Sequence, residues 1–200
     1  MILFEEIGML AGLTLGYHLA SRLAYVFGIG VALTQQQRHQ FFTRRDGVEA
    51  GFHRFRHIAA ILISNDLASF VLLSVVTRET IRSVVPVMVL LVGGALLIAV
   101  GVSIRLWATM RLGSAAYYWH DFFAVDNRVV PERRGPYRFL KNPMYTVGYL
   151  HTYGIALLCG SWPGLVAAAF DQAAILAFCR IVEKPHFDLA TGGRLKQESD

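Results

Sequence analysis

Two groups of residues in this sequence carry side chains suited to chemistry. His120-Asp121 follows Tyr117-Tyr118-Trp119, and Glu183 follows Arg180 at the end of an apolar run. Between them lies Arg134–Gly160, RGPYRFLKNPMYTVGYLHTYGIALLCG. It begins basic, passes through Asn142-Pro143-Met144-Tyr145, and turns apolar with recurring tyrosines. Pro143 lacks an N–H and biases Asn142 out of the α region, so a helix is expected to begin here. The free N–H groups of its first turn suit a carboxylate or phosphate. Arg133, Arg134, Arg138 and Lys141 crowd the same place. Carboxylates, aromatic rings and guanidiniums around one helix start offer a cationic ligand both an acidic partner and π-faces. A proline-started membrane helix with positive flanking charge explains the same stretch more plainly.

Those residues need apolar spans to hold them. The chain has 200 residues, 54% hydrophobic and 16% charged. An average soluble domain carries about 25% charged residues, so this composition indicates a membrane protein of one domain. The net charge of +5 fits loops at an anionic membrane surface. It does not fit nucleic-acid binding, because the basic residues sit in short segments between apolar ones. Five spans are expected: Ile7–Leu33, His57–Thr77, Val84–Ile104, Pro143–Trp162 and Gly164–Val182. Thr34–Arg56 and Arg105–Lys141 are polar connections, the second long enough to be functional. Arginine and lysine concentrate in these two segments and in the tail, which places the N-terminus outside and the C-terminus in the cytoplasm. The acidic start, Glu5-Glu6, lacks the basic region of a signal peptide, so the first span should remain in the mature chain.

Gly8, Gly12, Gly16, Ala20, Ala24 and Gly28 recur every fourth residue and let another helix approach closely. The Gly8-Gly12-Gly16 face is a candidate surface for self-association. Thr14, His18, Ser21, Arg22 and Tyr25 fall on a different face and should point into the bundle. Arg22 lies about 16 Å deep, Asp66 about 14 Å and Asp171 about 18 Å, at 1.5 Å per residue. A buried charge seeks a partner, and Arg22–Asp66 is preferred to Arg22–Asp171 because consecutive helices are usually neighbours. His53 and His57 share a helix face but lack further ligands, so no metal site is expected. Cys159 and Cys179 would lie toward opposite ends of neighbouring helices, too far apart for a disulfide.

Gly135-Pro136-Tyr137, Asn142-Pro143-Met144-Tyr145, Gly148 and Glu183-Lys184-Pro185-His186, in that order, resemble the membrane phospholipid methyltransferases. Within that wider group, which includes isoprenylcysteine carboxyl methyltransferases, the chain is most similar to the phosphatidylethanolamine N-methyltransferases. The resemblance runs from Gly101 to about Leu189. It implies one all-α methyltransferase domain over residues 1–200, with three helices in 1–104 and the cofactor-binding part with a helical hairpin in 105–200. It implies S-adenosylmethionine held at the cytoplasmic face by Gly101, Ser103, Tyr137, Asn142, Pro143, Met144, Tyr145, Gly148, Arg180 and Glu183. Many members carry His in place of Asn142 and a second acid in place of Lys184, and Gly101-Val102-Ser103 replaces a cleaner glycine motif.

The reaction so implied is attack of a lipid amine on the cofactor's methyl group. Positioning supplies much of such a rate, and the amine must lose a proton, for which His120, Asp121 and Glu183 are candidates. Tyr117, Tyr118 and Trp119 could hold a methylated ammonium, although an interfacial aromatic belt is the alternative. Arg133, Arg134, Arg138 or Lys141 would take the lipid phosphate. The expected protein is an integral membrane enzyme of the plasma, inner or endoplasmic reticulum membrane. A prenylated acceptor on the same fold and a catalytically silent lipid-binding protein are the other two readings.

Overall fold

The computed structural model describes residues 2–81, 85–123, 134–140 and 142–189, and these are helices and turns. Helix α1 spans Ile2–His39, α2 Phe41–Asp46, α3 Val48–Val76 and α4 Val87–Tyr117. Helix α5 is short, Leu150–Cys159. Helix α6 begins at Trp162, passes through a π-helical turn at Cys179–Glu183, and continues to Leu189. Three helices, Val48–Val76, Val87–Gly113 and Trp162–Leu189, are long and apolar enough to cross a membrane, and Val147–Cys159 is a shorter apolar helix.

Helix α1 lacks the apolarity of those three because it carries a polar stripe, and that stripe is buried. Thr14, His18, Ser21, Arg22 and Tyr25 are all below a tenth exposed, as their helical spacing predicted. They meet α3 antiparallel: Tyr17 donates to Asn65, Asn65 to Ser21, and His18 shares a hydrogen bond with Ser69. Helix α6 lies parallel to α1, with Asp171 at His18 and Arg22 and with Phe178 and Val182 at Gly30. Arg22 does not choose between acids. It contacts Asp66 and Asp171 at 2.8 Å each, so one guanidinium ties α1 to both α3 and α6. A planar fork with five donors can serve two carboxylates at once.

Helices α4 and α5 pack antiparallel through reciprocal glycines. A Cβ on Gly94 would meet the Gly154 carbonyl at 2.9 Å, and one on Gly154 would meet the Gly94 carbonyl at 2.6 Å. Gly101 presses on the His151 backbone one contact further along. Such close approach is what small residues permit between membrane helices. Gly8, Gly12 and Gly16, by contrast, are exposed, and a Cβ added to any of them would meet no atom within 4 Å. Ser161 caps α6 by accepting from Gly164 N–H and bonds Thr77 at 2.6 Å, joining the C-terminal end of α3 to the α5–α6 reversal.

Three expectations about boundaries fail. The connection Thr34–Arg56 is helical through α1, α2 and the start of α3, broken at Gln40 and at Gly47, where φ is +80°. Residues 105–117 continue α4 rather than forming a loop, and α4 bends at Gly113, φ +81°, a value glycine adopts without Cβ strain. No helix begins at Pro143 either. Residues 143–149 form turns and one 3-10 turn, and Tyr145, Thr146 and Gly148 N–H groups donate to the Asn142 and Pro143 carbonyls. The first-turn donors proposed for an anion are therefore used within the segment.

Candidate active site

The π turn of α6 faces the 142–149 segment. In that turn Cys179 and Glu183 stand on one side, and on the facing segment so do Asn142 and Tyr145. Asn142 Nδ2 donates to Cys179 Sγ at 3.3 Å, and Tyr145 OH donates to Glu183 Oε1 at 2.6 Å. Gln172, one helical stretch earlier, donates to the Tyr145 and Thr146 carbonyls at 3.2 Å and accepts from Tyr153 OH. These bonds hold an irregular backbone against a helix, and π turns are common at functional sites for this reason.

Glu183 is the centre of the arrangement. It is 7% exposed, and its Oε1 also accepts from the Trp119 indole N–H at 2.5 Å. Among the described residues no lysine, arginine or histidine forms an ion pair with it. Neutral donors satisfy a buried carboxyl oxygen but bring no opposite charge to it, and a cation placed there would complete the site. Lys184, the residue that replaces a second acid, is exposed beside it. Trp119 reaches Glu183 from the left-handed region, φ +56°. For a bulky residue that conformation costs roughly 1–3 kcal/mol and persists only where surroundings enforce it. Here Phe55 and Phe178 pack edge-on against the indole.

The remaining expected residues divide. Tyr137 OH approaches Met144 Sδ at 3.5 Å, and Pro136 and Pro143 are fully buried. Gly148 lies against the Pro143 carbonyl and Arg105. Ser103 and Arg180 are exposed. Tyr117, Tyr118 and Trp119 do not form one cage. Tyr117 accepts from Arg105, Tyr118 lies under Arg56 at 5.1 Å, and Trp119 is committed to Glu183. His120 packs on the edge of Phe52 at 4.6 Å, and Asp121 is half-buried near His186, which stacks on Phe122. Burial raises the Asp121 carboxyl above its ordinary range, with His186 and His120 opposing. Arg134 and Arg138 are exposed, with Arg138 over Phe139, and Lys141 lies outside the described residues.

Sequence reasoning passed over Gln172, Cys179 and Arg105. An amide in an apolar helix was a usable signal for Gln172, because a buried amide must find partners. Cys179 carried no such signal, since free cysteine is an ordinary buried residue.

The phospholipid methyltransferase family profile matches residues 89–190, more than half of the chain. A phosphatidylethanolamine N-methyltransferase of Emericella nidulans is 30% identical over 137 residues, 67% of this chain and 14% of the relative. One from Schizosaccharomyces pombe is 30% identical over 139 residues, 69% of this chain and 15% of the relative. One from Saccharomyces cerevisiae is 29% identical over 106 residues, 53% of this chain and 12% of the relative. The chain thus spans about one-seventh of the length of these curated relatives. No solved structure matches it. Glu183, Asn142 and Tyr145 all fall inside the matched segment, and the chain belongs to the phospholipid methyltransferase family.

Proposed function

We propose that this chain is a membrane-embedded phospholipid N-methyltransferase that uses S-adenosylmethionine and acts on phosphatidylethanolamine at the cytoplasmic face. The observation that carries the reading is the buried Glu183 carboxylate, held by Trp119 and Tyr145 with no basic partner among the described residues. S-adenosylmethionine, when bound, supplies an electrophilic methyl group on a positively charged sulfur. A fixed, desolvated negative charge suits that cation.

In this reading Glu183 holds the positive charge, and Trp119 and Tyr145 fix the carboxylate. Asn142, Met144 and Tyr137 line the same side, with Pro143, Gly148 and Gly101 setting the backbone beneath them. Ser103 and Arg180 belong to the site by motif alone. Asp121 accepts the amine proton, its affinity for protons raised by burial. His120 assists from the same turn, and Arg134, Arg138 and Lys141 face the lipid phosphate.

The chain crosses the bilayer five times in this reading, with its N-terminus outside. The alternating directions of α1, α3, α4, α5 and α6 support it, as does the burial of the polar stripe that lowers the hydropathy of α1. Titration calorimetry with S-adenosylmethionine and methylation of phosphatidylethanolamine in proteoliposomes test the whole. Cofactor binding with no methylation of this lipid would point to another amphipathic acceptor. Absence of cofactor binding would make the chain a silent lipid-binding relative.

A further inference from the structure

Gln172 is the one amide side chain in the apolar helix Trp162–Leu189. It faces the irregular segment 142–149 and bonds backbone there. Its Nε2 carries two N–H groups, and the Tyr145 and Thr146 carbonyls each lie 3.2 Å from it. A carbonyl can only accept, so the nitrogen is the end of the amide that faces them. The other end, Oε1, accepts from Tyr153 OH at 2.9 Å. The Tyr153 ring in turn packs on the cluster of Phe70, Leu73 and Ala156. Both ends of the amide are therefore fixed by partners.

Tyr145 is thereby tied to α6 twice. Its carbonyl is held by Gln172, and its phenol donates to Glu183 Oε1 at 2.6 Å, eleven residues further along the helix. The segment that carries Tyr145 consists of turns and one 3-10 turn, so no continuous ladder of backbone bonds sets its place. A side chain on such a segment stands where anchors to a neighbouring element put it. We propose that Gln172 is a positioning residue for methyl transfer: by clamping the Tyr145 and Thr146 backbone it holds the Tyr145 phenol on Glu183, and with it the carboxylate that receives the cofactor's positive charge. The proposal rests on the reading of Glu183 above and extends that site to a residue that acts through Tyr145. A phenol released at its backbone end moves relative to the carboxylate, and a misplacement of about 1 Å is enough to cost much of a rate that depends on alignment.

The test is a double-mutant cycle on the full chain in proteoliposomes, read as S-adenosylmethionine affinity by calorimetry and as turnover of phosphatidylethanolamine. Gln172→Leu removes both backbone contacts and should lower affinity and kcat by about tenfold, the loss expected of two hydrogen bonds. Its KM for the lipid should stay within about twofold of wild type, since no lipid contact is removed. In the Tyr145→Phe background the same substitution should change affinity and kcat by no more than about twofold, because the phenol it positions is already gone. Equal losses in both backgrounds would show that Gln172 acts independently of Tyr145 and overturn the proposal, as would wild-type affinity and turnover in folded Gln172→Leu. Tyr153→Phe keeps the amide but frees its oxygen end. It should give a smaller loss of the same two quantities, absent in the Tyr145→Phe background, and it decides the matter if Gln172→Leu does not fold. If the wild-type chain binds no S-adenosylmethionine, the reading of the Glu183 site fails, and hydrogen exchange then tests the clamp by itself. Amides of residues 144–149 should exchange faster in Gln172→Leu than in wild type, with those of α3 and α4 unchanged. Unaltered exchange at 144–149 would overturn the proposal.

Discussion

Two buried polar clusters lie along α6, and they are built on opposite principles. At Asp171, Arg22 bridges two carboxylates from two further helices, with His18 alongside at 3.2 Å. Charge there meets charge. At Glu183, twelve residues on, a carboxylate accepts from an indole N–H and a phenol, with no basic partner among the described residues. Both burials are costly, but the first is offset inside the protein and the second is left for something else to offset. A cluster that satisfies itself reads as structure. A cluster one cation short reads as a site. The first cluster is still not fully satisfied: Arg22 Nη1, Asp66 Oδ1 and Asp171 Oδ2 are buried without hydrogen-bond partners, so its net worth over an apolar core is modest.

The comparison breaks most visibly at Arg22. Arg22→Met strands two buried carboxylates and should cost about 3–5 kcal/mol, read as loss of folded protein in detergent. The triple variant Arg22→Met, Asp66→Asn, Asp171→Asn should be more stable than the single one. Exchanging Arg22 and Asp66 alone should rescue little, because Asp171 would then face an acid at position 22. Full recovery of stability by that exchange would mean Asp171 contributes nothing to the cluster.

At the other cluster the expected pattern inverts. Glu183→Gln should lower methyl transfer by roughly 10²–10³, the scale of losing one preorganised electrostatic partner. Thermal stability should hold or rise, since a buried unpaired charge has gone. Wild-type turnover in the folded variant would remove Glu183 from the site. Tyr145→Phe deletes one charge-assisted hydrogen bond worth about 1.5–3 kcal/mol, so a tenfold to hundredfold loss of turnover is expected, again with a near-normal melting temperature. A melting temperature that falls with activity would place Tyr145 among the structural residues instead.

The smallest effect belongs to Asp121. Its folded carboxyl binds protons more tightly than in the unfolded chain, so its ionised form opposes folding above the folded pKa and that opposition vanishes once both states are protonated. Asp121→Asn should therefore raise the melting temperature by roughly 1–2 °C at pH 8 and not at all near pH 3. If Asp121 also takes the amine proton, the variant's turnover should suffer most below neutral pH, where free amine is scarce. A small loss of turnover uniform across pH would leave Asp121 with the stability role alone.

Much of this was legible from the chain. Helical spacing put Thr14, His18, Ser21, Arg22 and Tyr25 on one buried face, because side-chain direction in a helix follows from periodicity alone. The ordered motifs around Asn142-Pro143-Met144-Tyr145 and Glu183 reached the family. Pro143 misled, because a proline is as much at home in a turn as at a helix start. Only the folded chain showed which one held. The aromatic run Tyr117-Tyr118-Trp119 misled in another way. Adjacent residues in sequence share a neighbourhood but not a direction, and the bend at Gly113 together with the left-handed Trp119 sent each ring to a different partner.

By itself the sequence determined three long apolar helices, the inward face of α1, the residues that had to find partners and the family. Those follow from local periodicity and from the energy of placing a charge in an apolar medium, neither of which requires knowing who the neighbour is. The tertiary structure decided the pairings: Arg22 with two acids rather than one, Glu183 with an indole and a phenol, Arg105 with Tyr117. Pairings depend on where distant segments meet, and that is set by glycine contacts, a helix bend and a π turn, features whose geometry only the packed chain fixes.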